Sequence, residues 1–292
     1  MAESLAIAVS PGAQEISLLP GEIYEGEFSV LNPFPENGEM NFKISVAPFT
    51  VEDEDFSLDF DDKTDLSQIT DWISLETSTG ALSEYNSVAI RYRIAVPADA
   101  PAGGQYAAFL VRGIPADESA QHDSSASIRS ASQVAMLLYA TVAGETRVEG
   151  KVVENNISPV YLNTPVKTSV LLSNTGNVHS RASTTLRIYP LFSNEEVYTT
   201  EEIPETTLVL PNSRAFSEKT WEETPLLGLF RVEQEVDFAG IYTVKSKTVL
   251  IAPTWFVVLA ALFIVAVFYA FIERLTLRKN RQKKSKKVAK KP

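Results

Sequence analysis

The sequence predicts a β-rich exterior followed by one membrane-spanning helix. Apolar and polar residues alternate with a period of two in SVAIRYRIAV (87–96) and LFRVEQEVDF (229–238), which is typical of strands with one buried face. Turn signals such as Pro20-Gly21 and Asn37-Gly38 recur between such segments, and an uncharged run follows at 253–272. Together these observations predict an all-β protein: two tandem immunoglobulin-like β-sandwiches followed by a single C-terminal transmembrane α-helix.

We expect the first sandwich to occupy residues 1–147 and the second residues 148–252, because the strand-like QVAMLLYATVAG (133–144) ends just before this boundary. A faint internal repeat supports the division. The segments 28–48 and 168–190 share one layout, in which a strand, an asparagine, a turn, a second strand and a proline follow one another. We interpret this layout as a hairpin-like unit used twice. Duplication stays open, since any sandwich repeats such units.

The run PTWFVVLAALFIVAVFYAFI at 253–272 predicts contact with the lipid bilayer. Its 20 residues carry no charge. A helix of that length is about 30 Å long, which matches the hydrocarbon core of a bilayer. Trp255 and Tyr269 lie near its two ends, where amphipathic rings favour the membrane interface. A buried core helix is the alternative, and the terminal position and all-round hydrophobicity argue against it.

Charge predicts the orientation of this span. The tail 273–292 has ten Lys or Arg against Glu273 alone, a net of +9, so the whole-chain net charge of −11 leaves −20 for residues 1–272. Only Lys245 and Lys247 lie shortly before the span. Because cytoplasmic flanks carry the excess of Lys and Arg, we expect a single-pass protein of the cell membrane with extracellular N-terminal domains and a basic cytoplasmic tail. The opening MAESLAIAVSP has no leader-like pattern, so we expect that a signal peptide has been removed.

Residue types with catalytic roles are scarce. The chain has no cysteine and only two histidines, His122 and His179, and it contains no zinc-protease, serine-hydrolase, phosphate-loop or dinucleotide motif. Both histidines are predicted to lie on the surface. We therefore predict that the protein is not an enzyme, with no catalytic, cofactor-binding or metal-binding residues. Paired carboxylates for glycoside hydrolysis stay open, because their spacing is spatial.

An acidic segment at 52–65 is the densest cluster of charge. Oxygen-rich clusters of this kind can hold calcium, but a calcium-binding loop starting at Asp53 would need glycine and glutamate where Leu58 and Thr64 stand. We favour a solvated loop over a calcium site. Its acidic residues are Glu52, Asp53, Glu54, Asp55, Asp59, Asp61, Asp62 and Asp65.

Three aromatic residues, the segment before the span and the basic tail are the remaining features that could indicate a function. We predict that Trp72 and Trp221 pack in cores rather than against sugar rings, and that Tyr85 is exposed. No sortase motif lies shortly before the span, so the protein should remain in the membrane. The basic tail is explained by topology and anionic lipid, so we expect no nucleic-acid partner.

Four segments carry a resemblance to a known family. AVSPGAQEISLLPGEIYEGEFSVLNP (8–33), DWISLE (71–76), VPADAPAGGQYAAFLVRG (96–113) and VAMLLYATVAG (134–144) resemble the first extracellular domain of the WxL-interacting proteins, two-domain, membrane-anchored proteins of bacterial surfaces. The resemblance implies a peptidoglycan-binding first domain and a partner-binding second domain. NTGNVHSRASTTLRIYP and PLLGLFRVEQEVDF match the second domain in layout more than in residues.

Two functions follow as hypotheses. The first is a membrane-anchored cell-surface binding or adhesion protein that engages cell-wall glycan or another surface protein. The alternative is a structural or accessory subunit of a membrane-anchored complex. The net charge of −20 before the tail disfavours direct binding to anionic wall polymers, which favours a protein partner or a neutral glycan.

Overall fold

A computed structural model describes residues 7–33, 38–52, 57–60, 64–115, 132–162, 164–200 and 206–288. The chain is mostly β, with one apolar helix at its C-terminal end, as predicted. Eleven described strands precede residue 143 and nine follow it, and we refer to their sheets as the N-terminal and C-terminal sheets.

The N-terminal strands form two main sheets. One has the order β1-β3-β9-β7 and the other the order β2-β11-β10-β4-β8, while β5 and β6 pair with each other. A 3-10 helix, Asp65–Asp71, precedes β7. The strands are β1 (Ala8–Ser10), β2 (Ala13–Leu18), β3 (Ile23–Leu31), β4 (Met40–Ala47), β5 (Thr50–Glu52), β6 (Ser57–Asp59), β7 (Ile73–Leu75), β8 (Thr79–Leu82), β9 (Ser87–Ala95), β10 (Gly103–Pro115) and β11 (Gln133–Val142).

The period-two alternation explains how these two sheets face each other. Along β9 Ile90, Tyr92 and Ile94 are buried and Val88 is half-buried, and their partners on the inner face come from β3 and β10. The Phe109 ring lies 5.2 Å from Phe28 and 4.9 Å from Tyr92, centroid to centroid. Gly26 makes room for this packing, because a Cβ there would lie 2.2 Å from the Tyr92 ring.

The C-terminal strands also form two sheets. One has the order β12-β14-β18, and the other has the order β13-β20-β19-β15-β16, with β17 also pairing with β15. Their cores include Trp221, Phe230 and Phe238. The strands are β12 (Gly150–Asn156), β13 (Val160–Tyr161), β14 (Val166–Asn174), β15 (Ser180–Pro190), β16 (Tyr198–Thr199), β17 (Thr206–Val209), β18 (Arg214–Trp221), β19 (Gly228–Phe238) and β20 (Ile241–Ile251).

The connectivity of the N-terminal sheets is repeated in the C-terminal sheets. In each, an early strand (β2 or β13) runs parallel to the last strand (β11 or β20), and the remaining main pairs are antiparallel. The hairpin interpretation of the sequence repeat is wrong, however. In the first copy β3 and β4 lie in different sheets, and in the second copy β14 and β15 do too, so each unit crosses from one sheet to the other.

The asparagine of each repeat sits at this crossing. Asn32 and Asn174 are both buried, and the side-chain amide of each donates to two main-chain carbonyls. In the first copy, Asn32 donates to the carbonyl of Ser83, which lies just after β8. In the second copy, Asn174 donates to the carbonyl of Val209, the last residue of β17. In each copy the asparagine therefore hydrogen-bonds the connection between the two sheets to a strand, β8 or β17, at the border of the second sheet.

The helix α1 (Thr254–Val288) is longer than the predicted span. Its apolar part, Thr254–Arg274, has a mean hydropathy of 2.8, and none of it is buried against the rest of the chain. The predicted boundaries at 253–272 agree with this apolar part, whereas the tail predicted at 273–292 continues the helix as far as Val288. Length and composition make this one helix a candidate membrane span.

Candidate binding surfaces

The acidic segment does not assemble into a metal site within the part of the chain that the structure describes. Asp59 pairs with Thr50 in the β5–β6 hairpin, while Asp65 begins the 3-10 helix that the Thr64 hydroxyl caps. No group of three or more His, Cys, Asp or Glu among the described residues converges as metal ligands would. Residues 53–56 and 61–63, which include five of the eight acidic residues, Asp53 among them, lie outside the described residues.

His179 is not the surface residue that the sequence predicted. It lies between the rings of Tyr106 and Tyr139, with both centroids 5.8 Å from its own. The Tyr106 hydroxyl lies 3.3 Å from Nδ1 of His179. Burial lowers the pKa of His179 below 6.5, although the nearby Glu15 carboxylate acts in the opposite direction. Sequence reasoning failed because both tyrosines come from distant strands. His122 lies outside the described residues.

These aromatic residues belong to an apolar contact between the N-terminal and C-terminal sheets. Its buried members are Phe49, Tyr106, Ala108 and Tyr139 from the first part of the chain and Leu210 from the second. Burial raises the pKa of Tyr139 to about 12 and also raises that of Tyr106. The direction of both pKa shifts agrees with the burial of the two phenol rings in this contact.

Asn177 fastens the rim of this contact. Its side-chain Oδ1 accepts from the Arg147 N–H at 2.6 Å, and Nδ2 donates to the Glu145 and Ala102 carbonyls at 2.9 and 3.3 Å. Its own carbonyl accepts from the Gly104 N–H at 2.7 Å. Gly103 permits this approach, since its φ is +124° and a Cβ would lie 2.7 Å from the Asn177 carbonyl oxygen. We call the apolar cluster and these bonds the junction.

The aromatic predictions are confirmed. Trp221 is buried in a core, where it stacks on Tyr198 at 5.9 Å and meets Phe230 edge-on at 5.4 Å. Trp72 is half-buried against the N-terminal core, and Tyr85 is 70% exposed on a turn with φ +52°. Since only 4% of Trp221 is accessible, it offers no free face for a sugar ring.

Concavities on the sheets offer further candidate surfaces. The first, of about 390 Å³, crosses β3, β9 and β7 and is lined by Glu25, Gly26, Ser74, Leu75, Glu76, Arg91, Tyr92 and Arg93. Opposite charges alternate across it, because Glu25 pairs with Arg93 in the strand register and Arg91 donates to Glu27 at 3.2 Å. The second, of about 500 Å³, is lined by Val197, Tyr198, Trp221, Glu222, Glu223, Pro225 and Phe230. Mixed charge in the first suits a polar protein surface rather than an apolar ligand.

An open strand edge lies on the C-terminal sheets. Among the described strands, β18 pairs only with β14, whereas its counterpart β9 has neighbours on both sides, β3 and β7. Phe216 on β18 is 40% exposed, so the edge is bordered by one apolar side chain. Free strand edges accept strands from partners. Lys219 points inward and is 6% exposed, which is one way that natural sheets limit indiscriminate pairing.

The link between the sheets and the helix is short and held in place. Strand β20 ends at Ile251 and the helix begins at Thr254. The Ala252 N–H donates to the Tyr161 carbonyl at 3.0 Å, and Ala252 is buried. The C-terminal sheets therefore lie directly at the start of the apolar helix, with no free linker between them.

No protein-family model and no curated protein matches this sequence. Solved structures that are similar include the CsuC–CsuE chaperone–tip adhesion subunit complex of Acinetobacter baumannii (11% identity, 85% of this chain and 99% of that chain, TM-score 0.41). Others are the YadV chaperone (10%, 83% and 99%, 0.41) and a PapD-like domain of human CEP192 (13%, 48% and 87%, 0.32). All three identities are below 25% and all three TM-scores are below 0.5.

Proposed function

We propose that this protein is a membrane-anchored surface protein that displays two immunoglobulin-like domains and binds another surface protein. The observation that carries the proposal is the direct passage from β20 into a helix whose apolar part has no buried residue. A largely apolar helical stretch of 21 residues, Thr254–Arg274, with no buried residue in its apolar window needs lipid around it. The rest of the described chain is then held at the membrane as a β-rich ectodomain.

The division into two domains near residue 147 has two supports. The strand connectivity before residue 143 recurs after residue 149, and a large core lies within the N-terminal sheets while two others lie within the C-terminal sheets. The junction joins these domains through a fourth apolar cluster. An extracellular ectodomain and a cytoplasmic tail follow from the charge asymmetry, since the basic flank is retained inside.

A protein partner is favoured over a glycan by the surfaces that are open. The edge of β18 offers main-chain groups to an added strand, and the concavity that crosses β3, β9 and β7 is lined by both Glu and Arg. The two tryptophans of the β-rich part, Trp72 and Trp221, are instead packed against cores and are poorly placed to stack on sugar rings. We therefore propose that the protein binds a partner and does not catalyse a reaction. We also propose that it belongs to the WxL-interacting family.

Membrane anchorage is tested by fractionation of the full-length protein. We expect it to stay in membranes washed with alkaline carbonate, and we expect Val265→Arg together with Phe268→Arg to release it. Each arginine at the centre of a span costs about 2.5–3.5 kcal/mol of insertion free energy. Tyr85→Arg, on an exposed turn, is the control. Protease added to intact cells should digest the ectodomain and leave the tail intact.

Partner binding is tested by capture of membrane proteins in mild detergent with full-length bait. Phe216→Glu places a charge on the outer face of β18 without altering a core, and we expect this variant to lose the partner. Tyr242→Glu, at an exposed site on β20, is the control and should still capture the partner. Sedimentation with insoluble peptidoglycan distinguishes the glycan alternative. Salt-resistant retention on peptidoglycan, with no captured protein, would contradict the preference for a protein partner. Capture that both variants retain would instead favour the structural-subunit alternative.

A further inference from the structure

One end of the C-terminal sheets must lie at the membrane surface if α1 spans the bilayer. Ile251, the last residue of β20, pairs with Gly228, the first residue of β19, so the loop before β19 lies at that end. The three residues from Ile251 to Thr254 span at most about 10 Å. The headgroup layer on each side of a bilayer is about 5–7 Å thick, half the difference between the total and the hydrocarbon thickness. The loops at this end therefore lie within the headgroup layer or within a few ångströms of it.

These loops expose large apolar side chains. We call the group the apolar rim. The rim lies on the loops after β13, after β15 and before β19, with Leu229 at the start of β19 itself. Its members and their exposed fractions are Leu162 (40%), Phe192 (93%), Leu226 (68%), Leu227 (47%) and Leu229 (44%).

Two contacts connect the rim to the end of the sheets from which the helix leaves. Leu162 and Leu226 line a concavity of about 310 Å³ together with Ile251 and Pro253. The Leu191 N–H donates to the Leu229 carbonyl at 2.9 Å, which places the neighbouring Phe192 beside β19. Leu162 and Leu226 therefore lie beside the short segment that leads from β20 into the helix.

Charge around the rim argues for apolar insertion rather than electrostatic attraction. The loops 157–165, 191–197 and 222–227 contain no Lys or Arg. Their charged residues are all acidic: Glu195, Glu196, Glu222 and Glu223. Anionic lipid would repel such loops, whereas the headgroup and acyl-chain boundary takes up Leu and Phe side chains irrespective of headgroup charge.

We propose that the apolar rim inserts into the outer boundary of the phospholipid bilayer and forms a second membrane contact beside the helix. This contact fixes the tilt of the C-terminal sheets on the membrane, and through the junction that of the N-terminal sheets. The proposal rests on the proposed membrane anchorage. A partner protein or a second copy covering the rim is the competing occupant, and lipid-borne quenchers separate the two.

The absence of cysteine makes single-site labelling straightforward. Full-length protein is reconstituted in phosphatidylcholine nanodiscs with an environment-sensitive dye at Phe192→Cys or Leu226→Cys. The control sites are Tyr242→Cys, at the opposite end of β20, and Ala266→Cys, in the middle of the span. Each sample is prepared with and without lipids that carry a nitroxide near the headgroup or deep in the acyl chain. Thermal unfolding of each labelled protein verifies that it is folded.

We expect dyes at positions 192 and 226 to emit at shorter wavelength and to be strongly quenched by the nitroxide near the headgroup. The dye at position 242 should give the spectrum of a dye in water, and the dye at position 266 should be quenched by the nitroxide deep in the acyl chain. Equal, unquenched emission at 192, 226 and 242 would overturn the proposal while leaving the anchor intact. A blue shift without quenching would overturn it too, because protein would then cover the rim. Loss of quenching at 266 would refute the anchorage itself. Insertion that requires phosphatidylglycerol would contradict its apolar basis.

Discussion

Asn177→Ala tests whether the junction holds the N-terminal and C-terminal sheets together. The change removes three side-chain hydrogen bonds, to Arg147, Glu145 and Ala102. Each net contribution is about 0.5–1.5 kcal/mol, and water can replace the partners of the two exposed bonds. Only the half-buried bond to the Ala102 carbonyl leaves a poorly solvated acceptor. We therefore expect a loss of about 1–3 kcal/mol in the free energy of unfolding.

The assay is urea unfolding of the full-length protein in detergent, followed by tryptophan fluorescence. Spin labels at Glu84→Cys and Tyr242→Cys report the distance between the N-terminal and C-terminal sheets, and we expect Asn177→Ala to broaden the distribution. Thr175→Ala is the matched control, because Thr175 is exposed in the same turn and bonds through its main chain only. We expect the control to shift stability by less than about 0.5 kcal/mol. If both variants unfold at one midpoint and give one distance distribution, the Asn177 side chain does not hold the two sets of sheets together.

Three further predictions concern single side chains. Burial lowers the pKa of His179, so the unfolded chain binds the proton first. Its contribution to stability should be complete above pH 6.5 and should be lost as the pH falls through the lower native pKa, as measured by the urea midpoint against pH. Trp221→Ala should cost about 3–5 kcal/mol of unfolding free energy, and Trp72→Ala less because it is only half-buried, as measured by thermal unfolding. Gly26→Ala should cost about 1–3 kcal/mol by the same assay, because the new Cβ would overlap the Tyr92 ring.

Each of these has a control. His179→Phe should flatten the pH dependence, and an unchanged profile would show that another group titrates. If Trp72→Ala proved as costly as Trp221→Ala, burial would not be what decides the loss. Gly12→Ala meets no atom within 4 Å, so it should leave the unfolding temperature nearly unchanged. Equal losses at Gly12 and Gly26 would contradict the steric argument.

Short-range patterns in the sequence predicted the parts of the fold that depend on neighbouring residues. The alternation in SVAIRYRIAV became β9 with its inner-face residues buried or half-buried, because side chains of a strand point alternately to its two faces. The prediction about Tyr85 needed only a turn and its polar surroundings. The candidate span needed only an apolar run of sufficient length.

The predictions that failed needed long-range contacts. The repeat around Asn32 and Asn174 was read as a hairpin, but a short connection between two strands fits a hairpin and a crossing between sheets equally well. His179 follows a turn, and nothing near it in the sequence indicates Tyr106 or Tyr139. The one sequence feature that pointed to this contact was the Gly103-Gly104 pair, because adjacent glycines often mark a close approach of two backbones.

The sequence by itself determined the β-rich fold, the apolar helix and the separation of charge on its two sides, because periodicity, hydropathy and charge count are properties of contiguous residues. Only the tertiary structure decided the junction, the open edge of β18 and the apolar rim. Each of these is assembled from residues that are distant in the chain, and the register of the strands brings them together. Phe192 is one of 15 phenylalanines in the sequence, and it becomes part of the apolar rim only because the ends of β15 and β20 lie beside the start of β19.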